Sequence, residues 1–362
     1  MLRFHPLKVL NVAPEAADAV EIALEVPEDL RGDYRGAPGQ HVVVCTRIAD
    51  EELRRTYSLV NAPGEWPLRI VPRVLPRGRM STHLAEALRA GETLDVLPPN
   101  GSFTPRAAGA PGGTYVAFAA GCGITPVLSV VRALLAGGAA RVLLFYGNTG
   151  TARAMCLEEL LALKDRHLTR LALHFVMSRE PQEVELFNGR LDATRVREFA
   201  QALFEPQAVR EYFVCGPGNM IETVSATLRA LGVEPARIHA EHFTLATTEG
   251  GVPLQEAAPV PVALPPTAGE AQVTILMDGR RRAFTMKAHG ETVLDGAARA
   301  GIELPFSCRA GVCSTCRTKV VRGEVTMTQN YALEDWELEQ GYVLACQSHI
   351  RTAPLELDYD EK

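Results

Sequence analysis

At 362 residues the chain is too long for one compact core, so two or three domains are expected. Hydrophobic residues make up 47% and charged residues 22%, ordinary for globular proteins, and a formal net charge of −6 argues against a nucleic-acid binder. No run of eighteen apolar residues occurs and the first residues lack a signal-peptide core, so eight cysteines imply a reducing, cytoplasmic setting in which thiols serve metal binding, catalysis or packing.

Residues 1–107 read as short strands broken by turns. Ala19 to Val26 alternates and stops at Pro27, Gly39 to Val44 follows a Pro-Gly turn, and Pro67 leads into Leu68 to Val71. Such a rhythm predicts a small antiparallel β-barrel. Within it Arg55-Thr56-Tyr57-Ser58 joins a guanidinium suited to a phosphate, an aromatic suited to a flat ring and a hydroxyl suited to a ring nitrogen. A polar strand edge is the plainer reading of the same four residues. Gly78-Arg79-Met80-Ser81-Thr82 precedes a helical pattern, Leu84 to Leu88. Ser81 or Thr82 is the expected N-cap, and the free N–H groups of that helix start would also suit a pyrophosphate.

From 108 to 245 apolar strands alternate with helical patterns: Tyr115 to Ala119, Val142 to Tyr146, Leu171 to Val176 and Glu211 to Val214. Alternation of this kind predicts an α/β domain on a parallel sheet covered on both faces, with ligands at the carboxyl ends of the strands. Gly121-Cys122-Gly123-Ile124-Thr125-Pro126 follows the first strand. It lacks the third glycine of the dinucleotide fingerprint, yet Pro126 suits the first turn of a helix whose N–H groups would face a phosphate. Ser178-Arg179 ends the third strand, where a hydroxyl and a guanidinium could take a 2′-phosphate, or could simply be a solvated loop. Cys215 closes the next strand, and Gly216-Pro217 after it clears space for a ligand; Cys45 and Cys156 read as small buried hydrophobes.

Five prolines, Pro253, Pro259, Pro261, Pro265 and Pro266, fall within 246–269 and no period is present. This reads as a semi-extended linker that can reach about 75 Å at ~3.1 Å per residue. In 270–362, Asp278-Gly279 between alternating runs predicts a hairpin, and Thr292 and Gly301 bound a helix. Then come Cys308, Cys313 and Cys316, and after twenty-nine residues Cys346. The spacing C-x4-C-x2-C…C is the plant-type pattern that holds a [2Fe–2S] cluster. Zinc, the competing ligand, more often takes two C-x2-C knuckles or Cys/His pairs. The acidic stretch Glu334 to Glu339 and the basic Arg280-Arg281-Arg282 are expected to be solvated faces.

Taken together, Ala37-Pro38-Gly39-Gln40-His41, Arg55-Thr56-Tyr57-Ser58, Phe145-Tyr146-Gly147-Asn148, the four cysteines and Gly341 to Gln347 resemble the ferredoxin–NADP reductase family with a C-terminal plant-type ferredoxin domain of β-grasp fold. The resemblance covers essentially the whole chain and leans toward the reductases that serve a phenylacetyl-CoA epoxidase. It implies that Arg55, Tyr57 and Ser58 contact a flavin and that Gly78, Arg79, Met80, Ser81 and Thr82 hold the FAD pyrophosphate. It further implies that Gly121, Gly123, Thr125 and Pro126 face the nicotinamide nucleotide, that Ser178 and Arg179 take its 2′-phosphate, and that Cys215, Gly216 and Pro217 line the nicotinamide slot. Ser58 and Cys215 would be the catalytic pair, with Glu241-His242-Phe243 close to the flavin. Two departures stand out: Cys122 replaces the usual Ser or Thr, and Thr149 replaces a frequent Arg, so NADH stays open beside NADPH.

The implied activity is transfer of electrons from NADPH through FAD and the cluster to an oxygenase, with a di-iron phenylacetyl-CoA epoxidase complex as the specific partner. Another oxygenase, a desaturase or a hybrid-cluster protein is the alternative customer. A redox-sensing or zinc-stabilised binding module is the reading from outside enzymology. Neither nucleic acid nor membrane is expected as a partner.

Overall fold

The computed structural model describes residues 3–106, 112–138, 140–243, 269–287 and 290–361. The expected boundary at 107/108 and the proline-rich linker, apart from Gly269, lie outside the described residues. Contacts divide the chain into two compact units, one within Phe4–Ala246 and one within Thr247–Lys362.

The first unit opens with six strands: β1 (His5–Ala16), β2 (Ala19–Glu25), β3 (His41–Ile48), β4 (Glu51–Ser58), β5 (Leu68–Ile70) and β6 (Thr93–Asn100). Their order is β4-β3-β6-β1-β2-β5, antiparallel throughout. A bridge from Leu59, just past β4, to Ile70 on β5 joins the two ends, giving the expected barrel. Alternate residues such as Leu7, Val9, Ile22, Leu24, Val42 and Val44 fill the interior.

Five strands follow: β7 (Gly113–Ala120), β8 (Ala140–Asn148), β9 (Leu171–Met177), β10 (Val209–Gly216) and β11 (Ile238–His242). They form a parallel sheet in the order β11-β10-β7-β8-β9. Tyr115 to Ala119 are all buried, as a strand covered on both faces requires. Strand order reverses between β7 and β10, and the carboxyl ends of those two strands therefore border the crevice where ligands of such sheets bind.

Barrel and sheet behave as one unit because they share a core. Val60, Val71 and Phe103 from the barrel side pack into the same cluster as Val127, Val130 and Leu134 of the helix Ile124–Ala136. Polar contacts reinforce the join. Gly39 N–H donates to Ser129 Oγ at 3.2 Å, and Ser129 Oγ donates to Asn61 O at 2.6 Å. Arg69 on β5 binds Glu21 at 2.8 Å and reaches Glu159, on the helix Leu157–Arg166, with both terminal nitrogens. Arg132 pairs with Glu159 and Glu65.

The second unit holds β12 (Glu270–Met277), β13 (Arg280–Lys287), β14 (Arg317–Met327), β15 (Tyr342–Leu344) and β16 (Ser348–Asp358), ordered β13-β12-β16-β14-β15. β12 and β13 form the expected hairpin through Asp278 and Gly279, whose φ values of 54° and 68° fit a type I′ turn. The helix Val293–Arg299 crosses to the parallel pair β12–β16, completing a β-grasp. Thr292 caps it by accepting the Asp295 N–H, and Gly296 lets it press against Met286. Among the described residues no helix is long and apolar enough to cross a membrane.

Two expectations need correction. The helix at 79 starts at Arg79 with Gly78 as N-cap, so Ser81 and Thr82 lie inside it; the Ser81 hydroxyl instead donates to Gly78 O and accepts from Leu75 N–H. The acidic stretch at 334–339 is not wholly solvated either. Glu337 is buried and paired with Arg317 at 2.8 Å, and it closes a capping box with Glu334 on the helix Asp335–Glu339.

Candidate functional site

β3 and β4 place His41 directly opposite Ser58, and β10 and β11 place Cys215 directly opposite Glu241. These two pairs meet across the barrel–sheet cleft, where His41 Nδ1 lies 3.4 Å from Glu241 Oε1. Ser58 and Cys215, read from sequence as the catalytic pair, are thus each one strand away from a common contact. Ser58 Oγ, His41 Nε2 and Glu241 Oε2 are buried without a hydrogen-bond partner. Native interiors rarely leave such groups unsatisfied, so three at one cleft fit a polar ligand such as a flavin ring edge. Burial, with help from the Glu241 charge, pushes the Cys215 thiol up, so it is a neutral wall rather than a nucleophile at ordinary pH.

The loop after β7 closes on the same wall. Gly121–Gly123 forms a short 3-10 turn leading into the helix Ile124–Ala136. A side chain at Gly123 would place its Cβ 2.1 Å from Cys215 O, so the absence of one lets the loop lie flat on the tip of β10. Gly216 is confined less tightly, between Ala120 and the end of the Met220 side chain. Thr125 donates to Cys122 O at 3.0 Å and Pro126 is buried, so their side chains shape the turn, leaving backbone N–H groups for a ligand. Pro217 is the N-cap residue of the helix Gly218–Ala230.

Other sequence-chosen residues are distributed unevenly. Strand alternation sets Arg55 and Tyr57 on the opposite face of β4 from Ser58. Tyr57 packs partly against the barrel core, and Arg55 donates to Arg54 O at 2.7 Å. Arg79 is paired with Glu51 at 2.5 Å, and Met80 is buried in the barrel core, so at 78–82 the backbone is the better ligand-facing element. Ser178 and Arg179 follow β9 beside Asn148 and Thr149 at the end of β8. The Asn148 side chain is partly buried there, with the Tyr146 hydroxyl as its polar neighbour. Sequence reading missed His41 as a site residue; its one signal was a histidine opening an apolar strand after Pro38-Gly39.

In the second unit the four cysteines form one linked set. Cys313 Sγ lies 3.2 Å from Cys308 Sγ, and Cys346 hydrogen-bonds Cys308 and Cys316. Ala310 N–H donates to Cys308 Sγ at 3.3 Å, and Gln347 reaches Cys346 Sγ at 3.7 Å while holding Arg309 O. Gly311 has φ +71°, and a Cβ there would meet Gln329 O at 2.9 Å, so only glycine lets the loop wrap so tightly. Among the described residues no three or more His, Cys, Asp or Glu side chains close around a single ion. The C-x4-C-x2-C…C spacing of these four thiols is the one that holds a two-iron cluster.

Comparisons with known proteins agree with this division. Residues 18–104 match the oxidoreductase FAD-binding domain, 118–226 the oxidoreductase NAD-binding domain, and 275–351 the 2Fe-2S iron-sulfur cluster binding domain. The chain is 36% identical to a component of the 1,2-phenylacetyl-CoA epoxidase of Escherichia coli K12, over 100% of this chain and 99% of that one. It is 32% identical to the ferredoxin reductase component of the 3-ketosteroid-9-alpha-monooxygenase of Rhodococcus rhodochrous, over 98% and 96%. Its fold is similar to the solved structure of phthalate dioxygenase reductase, with a TM-score of 0.58, 22% identity and 98% of both chains covered. With the flavin, nucleotide and cluster modules in this order and a full-length relative at that identity, the chain belongs to the ferredoxin–NADP reductase family, among the oxidoreductases that carry a C-terminal [2Fe–2S] domain.

Proposed function

We propose that the chain is an NADPH-dependent reductase that feeds electrons through FAD and its [2Fe–2S] cluster to a di-iron epoxidase complex acting on phenylacetyl-CoA. The observation that carries the electron path is the cleft in which Ser58 and His41 face Cys215 and Glu241, with three buried polar atoms left unpartnered. The relative at 36% identity over the full chain supports the choice of customer.

FAD, when bound, takes two electrons as a hydride and releases them singly, which matches a two-electron donor to a one-electron cluster. The chain's own residues bind, orient and exclude water. The Ser58 hydroxyl would hydrogen-bond the flavin ring edge, and Tyr57 and Arg55, turned to the other face of β4, would contact FAD away from that edge. Backbone N–H groups of Arg79 and Met80 would hold the pyrophosphate, with Gly78, Ser81 and Thr82 fixing that turn, which favours FAD over FMN. Gly121 to Pro126 would approach the nicotinamide nucleotide, Cys215 with Gly216 and Pro217 would wall its ring, and Ser178 with Arg179 would hold a 2′-phosphate. Cys308, Cys313, Cys316 and Cys346 would ligate the cluster. As working boundaries we take 1–107 for the flavin barrel, 108–245 for the nucleotide domain, 246–269 for a tether and 270–362 for the cluster domain. A cytoplasmic setting, which keeps these thiols reduced, belongs to the same reading.

Reconstitution tests the customer. Purified protein is mixed with NADPH and, in parallel, with a di-iron phenylacetyl-CoA epoxidase complex or a Rieske-type hydroxylase, and product is measured. Epoxide formation coupled to NADPH use is expected in the first mixture. Turnover confined to the second would move the chain to another oxygenase, a possibility that the relative at 32% identity keeps specific.

A further inference from the structure

Beyond the strand ends of β8 and β9 the two loops stay zipped together. Ser178 N–H donates to Asn148 O at 2.9 Å, and Arg179 N–H donates to Thr149 O at 3.0 Å. The next residues form a clamp of a different kind. Thr151 N–H donates to one Glu180 carboxylate oxygen at 2.6 Å, and Thr151 Oγ1 donates to the other at 2.5 Å. Gly150 makes room for it, since a Cβ there would lie 2.9 Å from Glu180 Oε2. From the other side Gln182 Nε2 donates to Glu180 O at 3.1 Å, and Gln182 is itself held by Asn188. Both oxygens of a surface carboxylate are therefore committed to one residue.

The position of this carboxylate matters because it adjoins Arg179. A 2′-phosphate brings nearly two negative charges and is held by charge-assisted hydrogen bonds from groups such as Ser178 and Arg179. The clamp's hydrogen bonds keep the Glu180 carboxyl below the usual carboxylate range, so its negative charge is present at neutral pH. Released, a flexible glutamate next to Arg179 in the chain would turn its charge toward that guanidinium or the phosphate. In either arrangement it opposes the phosphate electrostatically, in a way that salt screens.

We propose that Thr151 is a positioning residue for nucleotide selectivity, holding the Glu180 carboxylate against the loop after β8 and so keeping its charge away from the Ser178–Arg179 pair that takes the 2′-phosphate. The inference rests on the assignment of Ser178 and Arg179 to that phosphate. NADPH over NADH is then set by three residues beyond the contact pair itself: Gly150, Thr151 and Glu180.

Calorimetric binding of 2′,5′-ADP and of 5′-AMP to the holoprotein separates the possibilities, because neither probe turns over. Wild type is expected to prefer 2′,5′-ADP. Thr151→Val, which removes the Oγ1 donor and leaves the backbone N–H as the carboxylate's one remaining tie to this residue, is expected to weaken 2′,5′-ADP binding about two- to fivefold, the scale of one exposed charge at short range, and to leave 5′-AMP unchanged. Thr151→Ser, which keeps the donor, is expected to bind like wild type. The double variant Thr151→Val with Glu180→Gln should recover 2′,5′-ADP affinity, since a freed glutamine carries no charge. A Thr151→Val protein that still prefers 2′,5′-ADP as wild type does, or a double variant as weak as Thr151→Val, overturns the proposal while leaving the NADPH assignment intact. Equal wild-type affinity for the two probes overturns the NADPH assignment and the proposal with it.

Discussion

Gly123→Ala probes the nucleotide cleft with a single carbon atom. The new Cβ would sit 2.1 Å from Cys215 O, 2.4 Å from Cys215 C and 2.8 Å from Gly216 N. All three are backbone atoms, so no side chain can swing aside. Real Cβ atoms keep 3.0 Å or more from such neighbours, so either the turn or the tip of β10 must retreat by roughly 1 Å. That tip carries Cys215, the wall against which the nicotinamide would rest. Displacements of ~1 Å at a reacting pair cost about 100-fold in rate, and overpacking of this kind costs about 1–3 kcal/mol in stability. Ser58 and the four cysteines are on other elements, so flavin and iron contents should stay at wild-type levels. The assay is stopped-flow reduction of the flavin band by NADPH, and a rate about 100-fold below wild type is expected. Gly218→Ala is the control, since its Cβ meets nothing within 4 Å, and it should react at the wild-type rate. A folded Gly123→Ala protein reduced as fast as wild type would refute the assignment of this crevice to the nucleotide.

Cys346→Ser should abolish the visible bands of the cluster and delivery to an oxygenase while NADPH-driven dye reduction at the flavin persists; loss of both activities would contradict separate entry and exit sites. Cys215→Ser should slow flavin reduction by NADPH with both chromophores still bound, and unaltered kinetics would remove Cys215 from the slot. Arg69→Ala removes the arginine paired with Glu21, 28% exposed, and one of the two paired with Glu159, 20% exposed and still held by Arg132, at the barrel–sheet join. A loss of about 1–3 kcal/mol and a Tm lower by several degrees are expected in a calorimetric scan, and an unchanged Tm would mean the ionic join contributes nothing. Replacing residues 253–266 with a much shorter segment should spare dye reduction and impair transfer to the oxygenase, whereas equal loss or equal retention of both activities would contradict a tethered cluster domain.

Local chemistry was legible where a few adjacent residues decide the outcome. Asp278-Gly279 announced its hairpin because two positive φ values in a row are tolerated by few residue pairs. The spacing of Cys308, Cys313 and Cys316 announced a metal loop because three thiols within nine residues have few other uses. Elements that depend on distant partners were harder. β1 carries Pro6 and Pro14 and lacks clean alternation, yet it is central in the barrel because β2 and β6 pair with it on both sides. Ser81 looked like an N-cap until Gly78 took that position and the hydroxyl was absorbed by the preceding turn. Glu337 looked solvated because its partner, Arg317, lies twenty residues earlier at the start of β14. The cleft itself was half visible. Ser58 and Cys215 could be picked by motif, but the contact of His41 with Glu241 joins residues two hundred apart, and only the shared core of barrel and sheet brings them within 3.4 Å.

Anaerobic titration of the purified protein with NADPH, followed in the visible spectrum alongside a matched NADH titration, tests the electron path most directly. Flavin and [2Fe–2S] bands should both be present at the start and both should bleach, with NADPH the more effective donor. A colourless, zinc-containing protein, or a flavin that bleaches while the cluster bands never change, would contradict a path from nucleotide through flavin to the four cysteines.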